Sequence, residues 1–196
     1  MGIQERKQRE KAAMQKLILE TADYLFQQHG IDHVSIRNIA SEIEYSPATI
    51  YLYFKDKDEI LYHLTNSFVE EFELKLKEFS FIKDHFSRLK NISQSWLEYA
   101  IHNPEKYQMI FISDGKLHEN SLYQYLNESV TQCIHANQLQ RMPTSEASSI
   151  IMSFLHGMSS LVINNKFPVQ SKTELLDHLS ELINRFLTNM KGYSLV

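Results

Sequence analysis

The residues of this chain best suited to a chemical role lie between Ser35 and Leu61, and that role is contact with nucleic acid. Pro47, Ala48 and Thr49 would open a short helix with small or polar side chains, which a major groove can admit. A thymine methyl would pack on Ala48 or on the methyl group of Thr49. Lys57 stands at the next predicted helix start, where a cation and free N–H groups both favour a phosphate.

A helix-turn-helix would position these side chains, and the sequence has the signals for one. Ser35 is a suitable N-cap for a first helix that has its apolar residues on one face: Ile36, Ile39, Ala40 and Ile43. Ser46 is a second N-cap, and a proline follows it at the first position of a segment over residues 47–53. Asp56 caps a longer third helix, with Glu59 three residues later as in a capping box. Two short helices joined by about three residues and braced by a longer one are the plan of a helix-turn-helix.

Enzyme chemistry is not indicated by the sequence. His29 and His33 are four residues apart but stand on either side of Gly30, so they do not share a helix face. Cys133 and His135 are two apart and would point in different directions on a helix. The motifs of zinc proteases, nucleophile elbows and Gly-rich phosphate loops are missing from the sequence. We therefore predict no catalytic residue, no metal site and no cofactor, and an enzyme is the remotest alternative.

Charge is unevenly distributed along the 196 residues. The chain carries a net charge of −4, but residues 1–19 hold five cations against two carboxylates. This basic segment, with Arg6, Lys7 and Arg9, is either a phosphate-contacting arm or a solvated helix start, and we favour the arm. A single cysteine, a polar start unlike a signal peptide and no run of 18 apolar residues predict a cytoplasmic protein without a membrane span.

The helix-turn-helix region resembles the DNA-binding signature of the TetR/AcrR family of bacterial transcription regulators. The match covers roughly residues 12–62, and its elements are Ala22, Leu25-Phe26, Gly30, Ser35, Ile39-Ala40, Ser46, Thr49, Tyr51, Tyr53-Phe54, Lys57 and Leu61. One residue departs from the pattern, because Glu44 stands at the turn where the family usually has Gly. If that turn needs a positive φ, Glu44 costs roughly 1–2 kcal/mol of strain. Otherwise the turn is built differently.

The resemblance implies roles for further side chains. Tyr51 and Tyr53 would contact phosphates or the groove through their hydroxyls. The family often has a groove-reaching residue at the position of Arg37, and Arg can bind guanine bidentately. Tyr51 could instead be a core residue, and Arg37 could form a surface ion pair with Glu42 or Glu44. The predicted DNA-binding residues are Ser35, Arg37, Ser46, Pro47, Ala48, Thr49, Tyr51, Leu52, Tyr53 and Lys57.

The rest of the chain has the pattern of an all-α protein, because its few Gly and Pro residues separate helical periodicities without alternating strand runs. We expect about nine helices, in a DNA-binding domain over residues 1–57 and a ligand-binding and dimerisation domain over residues 58–196. The first helix should bury Leu17, Ile18, Ala22, Leu25 and Phe26. Beyond the helix-turn-helix, the predicted helices cover about residues 10–29, 57–79, 83–102, 104–112, 120–138, 145–165 and 172–191.

Aromatic and methionine side chains are frequent over residues 80–165. The resemblance implies a ligand pocket among the middle helices, although plain core is the alternative for each residue. The few nearby charges favour a small apolar effector. The predicted ligand-binding residues are Trp96, Tyr99, Tyr107, Phe111, Tyr123, Phe154 and His156.

The last two predicted helices have more apolar surface than one buried face needs, and Gly157 permits close approach. They predict a homodimer through a four-helix bundle, as the resemblance also implies. The combined interpretation is a TetR-like repressor that binds double-stranded operator DNA and is released by a small apolar effector. The alternative is a ligand-binding helical module with altered or lost DNA binding, for which Glu44 is the hint.

Overall fold

The computed structural model describes residues 2–111, 121–167 and 171–191, and within them it is helical with no strand. These residues form nine α-helices and two short 3-10 helices, Ile31–His33 and Glu78–Phe81. The α-helices are α1 Ile3–His29, α2 Ile36–Glu42, α3 Pro47–Tyr51, α4 Lys57–Lys77, α5 His85–His102, α6 Pro104–Phe111, α7 Ser121–His135, α8 Thr144–Ile163 and α9 Lys172–Asn189. The predicted all-α class is confirmed. The predicted ends at residues 112 and 120 lie outside the described residues.

Contacts within the chain divide it into two units, residues 1–68 and residues 69–196. The boundary falls inside α4. We expect the functional boundary after residue 57, at the start of α4, which is earlier than the division after residue 68. The expected boundary follows the end of the helix-turn-helix and not the compactness of the chain.

Helix α1 begins at Ile3 and not near residue 10, so the basic segment is helical. The Gly2 N–H donates to the Glu5 carboxylate at 2.9 Å, and Arg6 pairs with Glu10 at 2.8 Å. These polar contacts stabilise a helix start that has no apolar periodicity to reveal it. Burial begins only in the second half of α1, where the predicted core residues other than Leu17, which is 40% exposed, are buried: Ile18, Ala22, Leu25 and Phe26.

The first unit is a three-helix core in which α2 packs against both α1 and α3. Ser35 caps α2 by accepting from the Asn38 N–H, and Ser46 caps α3 by accepting from the Thr49 N–H, as predicted. Helix α3 ends two residues earlier than expected. The buried side chains of α2, α3 and the residues that follow are Ile36, Ile39, Ala40, Ile50, Phe54 and Ile60, while Ile43 is half-buried.

The second unit is arranged around α5, which packs against α6, α7, α8 and α9. Asp84 caps α5 by accepting from the Ser87 N–H at 2.7 Å. Helix α9 begins at the predicted cap, because Ser171 Oγ accepts from the Glu174 N–H at 3.1 Å. Central placement explains why α5 has buried residues on several faces: Phe86, Leu89, Ile92, Trp96, Leu97, Tyr99 and Ala100.

Helix α8 is the one helix among the described residues that is long and apolar enough to cross a membrane. Core helices of soluble proteins have the same length and composition, so this is weak evidence for a span. In the structure 44% of the apolar window of α8 is buried, and the helix packs against α5 and α7.

The turn between α2 and α3 has a positive φ at Glu44, of 59°. The Glu44 N–H donates to the Ser41 carbonyl at 3.2 Å, and the Tyr45 N–H donates to the Ala40 carbonyl at 2.9 Å. These two hydrogen bonds form a Schellman motif, whose C′ position favours Gly or Asn. In the part of the chain that the structure describes, the other non-glycine residues with positive φ are both asparagines, Asn137 and Asn165. Glu44 is therefore the strained residue that the sequence indicated, and the turn keeps its ordinary geometry despite it.

We predict that Glu44→Gly stabilises the protein by about 0.5–1 kcal/mol, because relief of left-handed strain exceeds the added backbone entropy of Gly in the unfolded chain. The measurement is the midpoint of urea unfolding. Glu44→Gln is the matched control, since it removes the charge and keeps the strain. A midpoint that falls in the Gly variant, or that rises equally in both, would contradict the strain.

Candidate nucleic-acid interface

Helix α3 presents its first turn to solvent. The Ser46 hydroxyl accepts from the Thr49 N–H at 3.2 Å and lies 3.0 Å from the Thr49 hydroxyl. Pro47 and Ala48 are exposed and Thr49 is half-buried, while Ile50 is fully buried and fixes the helix to the core. A short helix anchored on one side and capped at its free end is the arrangement that a recognition helix needs.

The two tyrosines at the end of α3, Tyr51 and Tyr53, differ in exposure. Tyr51 is 56% exposed and Leu52 is 77% exposed, so both are available to a partner. Tyr53 is half-buried, and Phe54 next to it is buried. The core alternative for Tyr51 is therefore not what the structure shows, and Tyr53 is the more enclosed of the two tyrosines.

Arg37 lies exposed on the first turn of α2. The alternative of a surface ion pair is not seen, because no salt bridge joins Arg37 to Glu42 or Glu44, all three of which the structure describes. Ser35, the N-cap of the same helix, donates to the Asn38 side-chain oxygen through both its N–H, at 2.9 Å, and its hydroxyl, at 2.5 Å. The cation of Arg37 thus projects beside a capped helix start.

Lys57 has an internal role that the sequence did not reveal. Its ammonium donates to the Ile31 carbonyl and lies 5.7 Å from the centre of the Phe26 ring. Lys57 is half-buried, and it ties the start of α4 to the 3-10 helix that follows α1. An ammonium has three N–H donors, so a phosphate contact stays possible in addition. The partner is a backbone carbonyl 26 residues away, which no local pattern signals.

Four of the seven predicted ligand residues form one aromatic cluster in the second unit. Trp96 and Tyr107 are buried, at 0% and 1% exposure. The Phe111 ring lies 4.9 Å from Trp96, 4.7 Å from Tyr107 and 5.1 Å from His156, between ring centres. The Trp96 indole N–H donates to the Tyr107 hydroxyl at 3.3 Å, and that hydroxyl lies 2.5 Å from Nδ1 of His156.

Burial sets the protonation of this cluster. It raises the pKa of Tyr107 to about 12, since the phenolate would be desolvated. It lowers the pKa of His156 to about 4, because the imidazolium would be desolvated as well. With Tyr107 donating to Nδ1, the neutral ring of His156 carries its proton on Nε2. That atom is buried and has no hydrogen-bond partner among the residues that the structure describes.

The other predicted ligand residues lie elsewhere. Tyr99 stacks on Phe72 at 4.3 Å, Phe154 stacks on Phe186 at 4.0 Å, and Tyr123 is half-buried on α7. The seven predicted side chains therefore lie in separate places among the described residues, and their role in ligand binding stays a prediction.

A cleft of about 760 Å³ opens instead at the ends of four helices in the second unit. Its lining is mixed, with seven apolar side chains and five polar or charged ones: Ala100, Ile101, Pro104, Glu105, Gln108, Val162, Ile163, Asn165, Phe167, Ser171, Lys172 and Leu175. None of the seven predicted ligand residues belongs to it. The sequence gives no direct signal for this cleft, because it indicates only the helix ends and the breaks that surround it. Elsewhere in the described chain, no group of three His, Cys, Asp or Glu could hold a metal ion.

Comparison with known proteins agrees with the geometry of the first unit. A model of the family described as bacterial regulatory proteins, tetR family, matches residues 18–64. Over these residues the chain is similar to the TetR family. An HTH-type transcriptional regulator of Staphylococcus aureus (strain USA300) is 29% identical to it over 115 residues, or 56% of this chain. The chain spans 60% of the length of that curated relative.

Solved structures show the same fold at low identity. A TetR-family transcriptional regulator from Pectobacterium atrosepticum has a TM-score of 0.72 and 14% identity, over 94% of this chain and 97% of its own. AibR, in complex with isovaleryl coenzyme A and operator DNA, has a TM-score of 0.66 and 17% identity, over 86% of this chain and 96% of its own. The TetR family is regulatory rather than enzymatic. Its model covers every residue of the predicted DNA interface.

We predict that acid destabilises the protein through His156. Its pKa is about 4 folded and 6.5 unfolded, so stability is unaffected above pH 7 and falls as pH drops from about 6.5 toward 4. In His156→Gln, which keeps an acceptor for Tyr107, the free energy of unfolding should fall by about 1–2 kcal/mol less between pH 7 and pH 5 than it does in the parent protein. Urea unfolding at the two pH values measures this. His135→Gln, at an exposed position, is the control, and an equal acid response in parent and His156→Gln would contradict the assignment.

Proposed function

We propose that this protein is a homodimeric transcription regulator that binds double-stranded operator DNA through α2 and α3 and acts as a repressor. The observation that carries the proposal is the exposed first turn of α3, held by the buried Ile50 within the region that matches the TetR family. A cytoplasmic location goes with this role, since chromosomal DNA is the partner.

Each exposed side chain of the interface has a chemical task. Ala48 and Thr49 offer methyl groups to thymine in the major groove, and Arg37 can bind a guanine edge or a phosphate. Tyr51 donates its hydroxyl to a phosphate, which positions the helix without reading sequence. The basic first half of α1, with Arg6 and Lys7, adds phosphate neutralisation that is equal for all sequences.

An effector completes the proposed mechanism. AibR was solved with both an acyl coenzyme A and operator DNA, which supports a ligand-responsive regulator on this fold. In our proposal a small, mainly apolar molecule occupies the cleft at the ends of α5, α6, α8 and α9, and the neighbouring Trp96 cluster stays packed. Binding would favour a state of lower operator affinity, and the coupling must be reciprocal between ligand and DNA.

Tyr51→Ala is expected to weaken operator binding about tenfold or more, because a dimer loses one hydroxyl–phosphate contact at each half-site. Tyr51→Phe should produce most of this loss, since it removes only the hydroxyl. A mobility-shift assay on the DNA upstream of the chain's own gene measures the affinity. Tyr62→Ala is the matched control, because Tyr62 is 64% exposed in the same unit but lies outside the interface.

The same assay decides between the proposal and its alternative. If the parent protein shows no affinity for its upstream DNA above that for unrelated DNA, a ligand-binding module without DNA function is favoured. If Tyr51→Ala and Tyr62→Ala bind alike, Tyr51 is not part of the interface.

The proposed dimer uses one continuous apolar face of α8 and α9. Ile150 and Leu161 are 41% and 45% exposed, and they share one side of α8 with Phe154 and Gly157. A Cβ atom on Gly157 would meet nothing within 4 Å, so the surface there is open. Phe186 of α9 extends the face by stacking on Phe154. A face of this kind is typical of an interface between copies.

Leu161→Glu is therefore expected to shift the protein from dimer to monomer, because two carboxylates would be buried near the symmetry axis without partners. Sedimentation velocity at micromolar concentration measures the change. Leu74→Glu is the control, since Leu74 is 67% exposed on α4. A monomeric parent protein would contradict the proposed dimer, and an unchanged dimer in Leu161→Glu would place the interface elsewhere.

A further inference from the structure

The cleft at the ends of α5, α6, α8 and α9 contains one carboxylate and one cation that have no partner. They are Glu105, half-buried on α6, and Lys172, exposed on α9. Over the described parts of this unit, neither side chain forms a salt bridge or hydrogen bond, and the two do not pair with each other. Lys106, next to Glu105 on α6, pairs instead with Glu71 of α4 at 3.0 Å. Helix α6 thus uses one charge to hold α4 and leaves the opposite charge to the cleft.

Apolar side chains make up most of the remaining wall of the cleft. Val162 is 9% exposed, and Phe167 and Leu175 are half-buried. The Phe167 ring lies edge-on to His178, with 6.0 Å between the ring centres, which fixes one side of the wall. The cleft volume of about 760 Å³ lies within the range of pockets that enclose drug-sized ligands. A ligand of this cleft therefore has a sizeable apolar part to bury.

The two free charges distinguish between classes of ligand. A neutral apolar ligand would displace water from both charged groups without replacing its hydrogen bonds, and an unpaired charge is costly to bury. A simple anion would pair with Lys172 and leave Glu105 unpaired, and a simple cation would pair with Glu105 and leave Lys172 unpaired. A ligand that has both a carboxylate and an ammonium group gives each side chain a charge-assisted hydrogen bond.

We propose that the effector is an apolar molecule with one carboxylate and one ammonium group, as in a short apolar peptide or an apolar amino acid. This inference rests on the proposed function, which places the effector in this cleft. The carboxylate of the ligand pairs with Lys172, and its ammonium group pairs with Glu105. The apolar part lies against Val162, Phe167 and Leu175.

Isothermal titration calorimetry with tri-leucine tests the proposed ligand class. We expect the unmodified peptide to bind the parent protein. Acetylation of its amine, or amidation of its carboxylate, should each weaken binding about tenfold or more, because each removes one charge-assisted pair. Free leucine in the same titration distinguishes the amino acid from the peptide, since both carry the two charges. Binding of neither compound, or equal binding of the unmodified and the modified peptides, would overturn the proposal.

Two charge-removing variants test which side chain pairs with which end of the ligand. In Glu105→Gln, acetylation of tri-leucine should change the affinity by less than about twofold, because the partner of the amine is already lost. Amidation should likewise have little effect in Lys172→Gln. Lys83→Gln, at an exposed position outside the cleft, is the control and should keep both losses. If the modifications cost as much in the two cleft variants as in the parent protein, the assigned pairs are wrong.

The titrations contain no DNA, so they are independent of the proposed regulatory function. A mobility shift of the parent protein on the DNA upstream of its own gene reports on that function separately. Operator binding without the expected titrations would overturn the ligand class alone, whereas the expected titrations without operator binding would support the ligand class and contradict the regulator.

Discussion

Burial of Ile50 is the constraint on which the candidate interface depends. Helix α3 has five residues, and a helix this short has no stability of its own in water. It exists because Ile50 is fully buried in the core with α1 and α2, and because Ser46 satisfies the Thr49 N–H at its start. Because the Ile50 side chain lies in the core, Ala48 and Tyr51 are exposed and Thr49 is half-buried. The burial of Ile50 therefore both holds α3 against the core and leaves its other face open to a partner.

The sequence predicted those elements whose signals are local. The caps Ser35, Ser46, Asp56 and Ser171 mark helix starts, because each side chain bonds to an N–H three residues away. The strain at Glu44 was predictable for the same reason, since the C′ position of a Schellman motif tolerates few residue types. Family resemblance supplied the roles of the exposed side chains, and the structure leaves those roles as proposals.

What the sequence missed depends on distant or geometric relations. The bond from Lys57 to the Ile31 carbonyl joins residues that no periodicity connects. The sequence placed Trp96 and Tyr107 among the middle helices, but it does not tell whether buried rings leave a cavity between them. The start of α1 was placed too late because polar residues carry no hydrophobic pattern, although Glu5 and Glu10 stabilise that turn.

Trp96 is the single tryptophan of the chain, and it lies fully buried in the second unit, with its indole N–H on Tyr107 and its ring against Phe72 and Phe111. Intrinsic indole fluorescence therefore observes one unit only. The first unit contains tyrosines but no such chromophore, so its local unfolding would pass unseen in an emission spectrum excited at the red edge. Two optical signals, indole emission and far-ultraviolet dichroism, would coincide on denaturation only if both units unfold together. Because Trp96 lies in one unit only, comparing these two signals measures whether the two units unfold cooperatively, and no added label is needed.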